Sequence, residues 1–214
     1  MTLKNNYNFH IGTMAPLSRD HVDTDQIIPK QFLKSIKKSG FGPNLFDGWR
    51  YEDEGFPEQD PKERVLNKDF VLNQKKFQGA TVLISRQNFG CGSSREHAVW
   101  SLMDFGFKVV IAESFADIFY NNCFKNGLLP IQLENIKMKE LFKLAEENQS
   151  IQVDLVEQKI YSGDNVISAF EIDPFRKESI LEGLDEIGSS LKFSENITEF
   201  EENRRKDSPW IFRS

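Results

Sequence analysis

Apolar residues fall in short runs through the second half of the chain. Ala80-Thr-Val-Leu-Ile-Ser85, Lys108-Val-Val-Ile-Ala112 and Leu128-Leu-Pro-Ile-Gln-Leu133 have the length and β-branched content of strands. The stretches between them have helical character: Ser94–Phe105, and Phe115–Asn126 with Gly127 placed to close it. From Met138 to Asn148 the apolar residues stand at 138, 141, 142 and 145, which is helical spacing. Ile151–Val156, Lys159–Tyr161 and Asn165–Phe170 read as short strands, with Ser162-Gly-Asp164 as a turn. Pro174 suits a first helical position, and that helix runs to about Gly183. Strands alternating with helices, then strands at hairpin spacing, predict an α/β fold with a parallel core and an antiparallel addition.

The first half is less regular. Thr13 to Leu33 holds Asp23-Thr24-Asp25-Gln26-Ile27-Ile28-Pro29, where two carboxylates straddle Thr24. Pro29 is expected to stop any helix across the pair. Such a cluster makes an Asx-type turn or helix cap, or aims a carboxylate at a ligand. Ser39 to Arg64 is rich in Gly, Pro, Asp and aromatic residues. A structureless stretch of that length is usually functional or disordered, and aromatics are unusual in disorder, so the expectation is a mobile lid or partner-docking loop. At the other end Phe193, Ile197 and Phe200 have helical spacing before Pro209 and Trp210-Ile-Phe212. That tail packs on its own domain or serves a partner. The organisation expected is one domain over residues 1–190, with a loop at 39–64 and a tail at 191–214. No internal repeat is evident.

The richest chemistry lies between the first strand and helix, in Asn88-Phe-Gly-Cys-Gly-Ser-Ser-Arg-Glu-His97. Gly90 and Gly92 permit a tight turn and close approach of backbone to a ligand. Ser93, Ser94 and Arg95 follow where a helix opens, and free N–H groups with the positive end of the dipole attract anions there. The Arg95 fork suits a carboxylate or phosphate, and Ser93 or Ser94 is a candidate nucleophile or base. Ser93-x-x-Glu96 is also a capping box, in which the serine would do no more than cap the helix.

Composition narrows the partners. With 27 basic and 33 acidic residues among 214, the net charge of -6 gives no long-range pull on a phosphate backbone. Residues 1–7 contain no apolar core of a signal segment and no run reaches membrane-spanning length, so the expectation is a soluble cytoplasmic protein. Asn148-Gln-Ser150 and Asn196-Ile-Thr198 then count as chance matches to the glycosylation pattern. Two cysteines, Cys91 and Cys123, are too few for an iron–sulfur cluster, and a cytoplasmic setting argues against pairing them. The histidines 10, 21 and 97 lack ligand spacing, so no zinc site is expected.

Asn88–His97, with Phe107–Ala112, Ser114-Phe-Ala-Asp-Ile-Phe119 and Gly127-Leu-Leu-Pro130, resembles the swivelling domain of the aconitase superfamily, and Asp23–Pro29 resembles its upstream motif. The separate-chain format, with Ile28-Pro-Lys-Gln-Phe-Leu33, Gly40-Phe-Gly42, Leu45-Phe46 and Trp49-Arg50, is similar to the small-subunit family of bacterial 3-isopropylmalate dehydratases. The likeness covers almost the whole chain and is weakest after about Leu191. It implies a swivelling β/β/α three-layer fold. It also implies a hydro-lyase of leucine biosynthesis, interconverting 2- and 3-isopropylmalate through 2-isopropylmaleate. A [4Fe–4S] cluster on a separate large subunit would act as Lewis acid. By motif position, Ser93 would take the proton from carbon, Ser94 would add a hydrogen bond, and Arg95 would hold a substrate carboxylate. Asp25 would orient water or a histidine of the large subunit, and Leu33 would face the isopropyl group. His97 would be a packing residue and Cys91 a buried, inert thiol. Lys30 and Arg50 are the weak candidates for a further carboxylate contact. A citramalate or homocitrate substrate is the near alternative, since methylene-scale differences give only about 1–3 kcal/mol of discrimination. A non-enzymatic RNA-binding relative is the distant one, disfavoured by charge.

Overall fold

The computed structural model describes residues 8–34, 38–184 and 186–212; residues 1–7, read above for a signal segment, lie outside them. Seven strands run in the order β4-β3-β2-β1-β5-β6-β7. They are β1 (Phe9–Pro16), β2 (Val82–Ile84), β3 (Val109–Ala112), β4 (Leu129–Gln132), β5 (Ser150–Asp154), β6 (Lys159–Ser162) and β7 (Asn165–Ala169). β1 to β4 are parallel, whereas β5, β6 and β7 pair antiparallel. β1 joins the halves: Phe9–Thr13 pair with β5 and Met14–Pro16 with β2. The parallel core and antiparallel addition are as the pattern of runs indicates.

β1 was not legible. Its outer half alternates exposed and half-buried positions, with Phe9 and Ile11 both exposed, so it lacks the continuous apolar run of its neighbours. In the parallel half, side chains divide strictly by face. Met14, Val82, Ile84, Val109 and Ile111 enter one core with Met138, Leu141 and Ala145. Ala15, Leu83, Val110 and Ala112 enter the other with Val99, Leu102, Phe119 and Cys123. The first core lies under α5 (Asn135–Glu146) and α6 (Pro174–Glu182), and the second under α3 (Glu96–Phe105) and α4 (Asp117–Asn126). Burial on both faces is why these strands read as unbroken apolar runs. Gly127 and Gly183 close α4 and α6 in the left-handed conformation, as their positions foretell.

The 39–64 segment is not structureless. It forms a 3-10 turn at Gly42–Asn44, a short helix α2 (Asp47–Arg50) and a second 3-10 turn at Pro61–Glu63. Phe41, Leu45, Phe46 and Tyr51 are buried in the chain's own core. Asp47 and Arg64 form a buried ion pair, and the Asp47 carboxylate also accepts from the Gly55 N–H at 3.1 Å. The aromatics therefore find their packing surface within the chain, and the exposed stretch is limited mainly to 52–63.

The tail forms α7 (Glu186–Leu191), α8 (Ser194–Asp207) and a 3-10 turn at Pro209–Phe212. No residue of α8 is buried, and Phe193, Ile197, Phe200 and Trp210 are all exposed. The helix expected from the spacing of Phe193, Ile197 and Phe200 is present, and its apolar residues are not buried by the described residues. No described helix is long and apolar enough to cross a membrane.

Candidate active site

β1, β2 and β3 point the same way, and the segments leaving their carboxyl ends meet there. Gly90 N–H donates to Val22 O at 2.7 Å and Thr24 N–H to Cys91 O at 2.8 Å, tying the Gly-Cys-Gly turn to the segment after β1. Phe89 N–H donates to Ser114 O, and Ala116 N–H to Phe89 O, each at 3.0 Å, tying it to the segment after β3. The crevice beyond the carboxyl ends of the strands is where open α/β sheets hold ligands. Gly90 has φ +78, and a Cβ there would stand 2.1 Å from Phe119 Cγ, so only glycine lets the turn lie this close to α4. Gly92 has φ +90 and lies against Asp23 and Thr24.

The two carboxylates around Thr24 have separate places. Asp23 caps the one-turn helix α1 (Thr24–Ile27) by accepting from Gln26 N–H at 2.7 Å, while Gln26 Oε1 accepts from Asp23 N–H at 3.0 Å. Asp25, in the first turn, is half exposed and forms an ion pair with Arg95. The expectation that Pro29 forbids a helix here was wrong. Proline restricts only the residue before it, and Ile28 is extended (φ -144, ψ 112), so the single turn ends just in time. Thr24, buried, donates its hydroxyl to Ser93 O at 3.0 Å and locks the serine turn onto α1.

Ser93-x-x-Glu96 is not a capping box in the fold. α3 starts at Glu96 with Arg95 as its N-cap residue, and no side chain caps it. Ser93 and Ser94 are left exposed on the turn, beside N–H groups without a side-chain partner. Glu96 instead accepts from Asn126 Nδ2 at 3.2 Å.

A cleft of about 760 Å³ opens here, lined by Leu33, Lys38, Ser94, Arg95, His97 and Trp100 among others. Leu33 belongs to a 3-10 turn at Lys30–Lys34. The fold thus brings Asp25 to Arg95, and Leu33 to Ser94 and Arg95. Ser93 is next to Ser94 but does not line the cleft wall. A second cleft of about 750 Å³ shares Ser94, Asn122 and Lys125 with it and is walled by Ile118, Phe124, Phe175 and Phe193. The polar cleft, with Arg95 and the serine turn at its wall, is the one suited to an anionic ligand.

His97 packs against Phe41 and Trp100, with ring centroids at 5.1 and 4.7 Å, and its buried Nε2 has no hydrogen-bond partner among the described residues. Cys91 is half-buried rather than buried; burial, then the charge of Asp23, pushes its thiol up from the ordinary value. Cys123 is fully buried and pushed up well above that value. Arg50 does not line the cleft: its Nη1 donates to the carbonyls of Gly42, Pro43 and Leu45, and the guanidinium lies over Phe105. Lys30 is exposed and does not line the cleft. The described residues contain no group of three His, Cys, Asp or Glu placed to hold a metal, so they do not fit an iron–sulfur cluster as its ligands.

Sequence reasoning did not single out Lys38, Trp100 and Asn126 of the cleft wall, nor the Thr24 hydroxyl that holds the serine turn. Asn126 accepts from Trp100 Nε1 at 2.7 Å, fixing that ring in the cleft wall. A lysine within Lys34-Ser-Ile-Lys-Lys38 carries no local signal that separates it from a solvated surface.

A family model described as the aconitase C-terminal domain matches residues 4–136, and one described as the C-terminal domain of the 3-isopropylmalate dehydratase small subunit matches residues 186–214. The 3-isopropylmalate dehydratase small subunit of Marinobacter nauticus is 58% identical over 207 residues, covering 96% of each chain. That of Aromatoleum aromaticum is 59% identical over 203 residues, covering 94% of this chain and 95% of its own. The crystal structure of 3-isopropylmalate dehydratase (leuD) from Methanocaldococcus jannaschii is similar with a TM-score of 0.60 and 28% identity, over 90% of this chain and 99% of that one.

Proposed function

Since the chain belongs to the family of 3-isopropylmalate dehydratase small subunits, we propose that it joins a large subunit to interconvert 2- and 3-isopropylmalate in leucine biosynthesis. The reaction removes water to give 2-isopropylmaleate and returns it to the neighbouring carbon. The [4Fe–4S] cluster implied by the family resemblance falls to the large subunit, where it supplies Lewis acidity toward the departing hydroxyl. What remains for this chain is to hold the anion and move a proton at carbon.

Arg95 takes one substrate carboxylate through its fork, and Ser94 donates a hydrogen bond beside it. Before substrate arrives, Asp25 holds the Arg95 guanidinium in place. With substrate bound, Asp25 is free to orient water or a histidine of the partner. Ser93 is the base. A hydroxyl is far too weak an acid unless its alkoxide is stabilised, and the uncapped N-terminus of α3 together with Arg95 offers that stabilisation. Leu33 faces the isopropyl group. The tail, apolar and exposed, packs against the large subunit. The observation that carries the reading is the Asp25–Arg95 pair beside an exposed serine turn, at the rim of a cleft that includes Leu33.

The test is co-expression with a cluster-bearing large subunit and anaerobic assay on isopropylmalate, citramalate and homocitrate. Isopropylmalate should give the highest kcat/KM. Ser93→Ala should lower kcat by at least about 10² to 10⁴-fold while the thermal midpoint and subunit assembly are kept, because Ser93 is not a cap. Near-normal turnover in Ser93→Ala with loss in Ser94→Ala would move the base to Ser94.

A further inference from the structure

The second, apolar cleft lies beside the one described above, and α4 is the partition between them. Asn122 and Lys125 of α4 line both clefts, as does Ser94 of the serine turn. We propose that the second cleft is a binding site for an aliphatic monocarboxylate, with the chain against the apolar walls and the carboxylate on Arg176, and that a ligand there lowers turnover through the shared wall. The kinetic half of this rests on the isopropylmalate reading above. A volume of about 750 Å³ lies within the roughly 300–1,000 Å³ of small-molecule sites, whose usual lining is apolar with a few polar groups. Ile118, Phe124, Phe175 and Phe193 supply the apolar walls. Among the described residues of the lining the charged side chains, Lys125 and Arg176, are both basic, in a chain of net charge -6.

Arg176 is placed by the fold. Pro174 opens α6, and Asp173 caps it by accepting from the Arg176 N–H at 3.1 Å, which fixes the backbone of that first turn. The guanidinium donates from Nη2 to Asn121 Oδ1 at 2.7 Å and lies 5.2 Å from the ring centroid of Phe124 and 5.3 Å from that of Tyr120. Among the described residues no carboxylate forms an ion pair with it. A guanidinium oriented by one amide and stacked on rings keeps N–H donors for a carboxylate, and apolar surroundings strengthen that bond over the same bond in water. The two clefts therefore suit opposite ligands. The polar one takes a small dianion such as isopropylmalate, whereas a guanidinium among aromatic walls suits a single carboxylate on a longer apolar chain, whose burial is itself favourable. The shared wall gives the coupling. Asn122 O accepts from Asn126 Nδ2 at 2.9 Å, and Asn126 Oδ1 accepts from Trp100 Nε1 at 2.7 Å, so a ligand pressed on α4 bears on the wall of the catalytic cleft as well as on Ser94.

Calorimetry and kinetics test the proposal, with octanoate as the probe and 1-octanol as its uncharged counterpart. On the full chain, octanoate should bind with a Kd at least about tenfold below that of octanol. Arg176→Gln should erase the difference while leaving octanol affinity unchanged, which also shows that the variant is folded. Phe200→Asp, outside the cleft, should leave both affinities as they are. In the assembled enzyme, saturating octanoate should lower kcat on isopropylmalate at least about twofold, and excess substrate should not relieve it. Arg176→Gln should keep the basal kcat and KM within about twofold and lose the inhibition. Equal affinities for octanoate and octanol overturn the proposal. So does octanoate binding that survives Arg176→Gln but fails in Arg95→Lys, which would put the anion in the polar cleft, as would competitive inhibition. Loss of binding in Phe200→Asp would report adhesion to the exposed tail and also overturns it. Binding to the free chain with none to the assembled enzyme would give the cleft to a segment of the large subunit, and the proposal falls. Wild-type enzyme inactive on isopropylmalate would remove the functional reading and leave the calorimetric result standing; normal turnover with no octanoate binding removes the proposal alone.

Discussion

Asp23 and Asp25 have the same side chain one residue either side of Thr24, yet only one faces the site. Composition alone does not assign them, because both suit a turn and a ligand-facing pair; only the family resemblance selected Asp25. What separates them is a hydrogen bond: Asp23 is held by the Gln26 N–H, and Asp25, inside the turn, is left to meet Arg95 across the Gly-Cys-Gly segment. Ser94 and Arg95 were singled out from a glycine-flanked hydroxyl–guanidinium run at a strand–helix junction, which the sequence alone does not separate from a capped helix start. Cys91 sits between the two glycines and has the placement of a reactive thiol without its electrostatics. Burial, then the Asp23 carboxylate, disfavours the thiolate, so the thiol's pKa lies above its ordinary value. Alkylation by iodoacetamide, read by mass spectrometry, should therefore be slow at pH 7 and rise at Cys91 only as the pH passes the ordinary thiol range. Cys123, fully buried, should react only on unfolding. Rapid modification of Cys91 at neutral pH would contradict the reading of an inert thiol.

Among the elements, the two capping-box patterns make an instructive pair. Ser93-x-x-Glu96 and Asp23-x-x-Gln26 both fit, and only the second is formed. Ser93 is held outside the helix because its carbonyl is bound by Thr24 and the preceding Gly92 turns the chain at φ +90. The two glycines of that turn should respond differently to substitution. Gly90→Ala drives a Cβ into Phe119, itself wedged 5.3 Å from Phe89 and 6.3 Å from Phe115. Left-handed strain and overpacking together should cost about 2–5 kcal/mol, seen as a lower urea midpoint. At Gly92 the nearest atom to a Cβ is 3.4 Å away, so only the backbone strain of about 1–2 kcal/mol applies. Equal losses at both positions would show that Phe119 moves freely. The 39–64 segment should also divide. Residues 41–51 pack into the core and should exchange amide hydrogens slowly in the isolated chain, while 52–63 should exchange fast. Fast exchange throughout 39–64 would restore the picture of a wholly mobile lid.

At the scale of the whole molecule, the chain carries a complete core and an incomplete surface. Two apolar cores sandwich the sheet, and the α/β alternation that produces them was readable from Ala80 onward because strands buried on both faces leave unbroken apolar runs. The tail was readable as a helix from Phe193, Ile197 and Phe200, but not where it would pack: helical spacing says that a face exists, not what covers it. In the fold nothing of this chain buries α8. Phe193, Phe200, Trp210 and Ile211 add to Ile187 and Leu191 of α7, so apolar exposure runs from the wall of the site to the end of the chain. Exposure on that scale marks an interaction surface, and a family model specific to small subunits covers the same residues, 186–214. Ending the chain at Lys192 should therefore leave the thermal midpoint of the isolated subunit nearly unchanged, since no residue of α8 is buried. Lys192 is kept because it bridges Glu178 and Glu182 of α6. Native mass spectrometry with the co-expressed large subunit should show assembly lost in the shortened chain and weakened in Phe200→Asp and Trp210→Asp, which keep the helix but spoil its apolar face. Full assembly by all three variants would mean that the tail is no part of the subunit interface. A fall in the midpoint on shortening would mean that the tail supports its own domain.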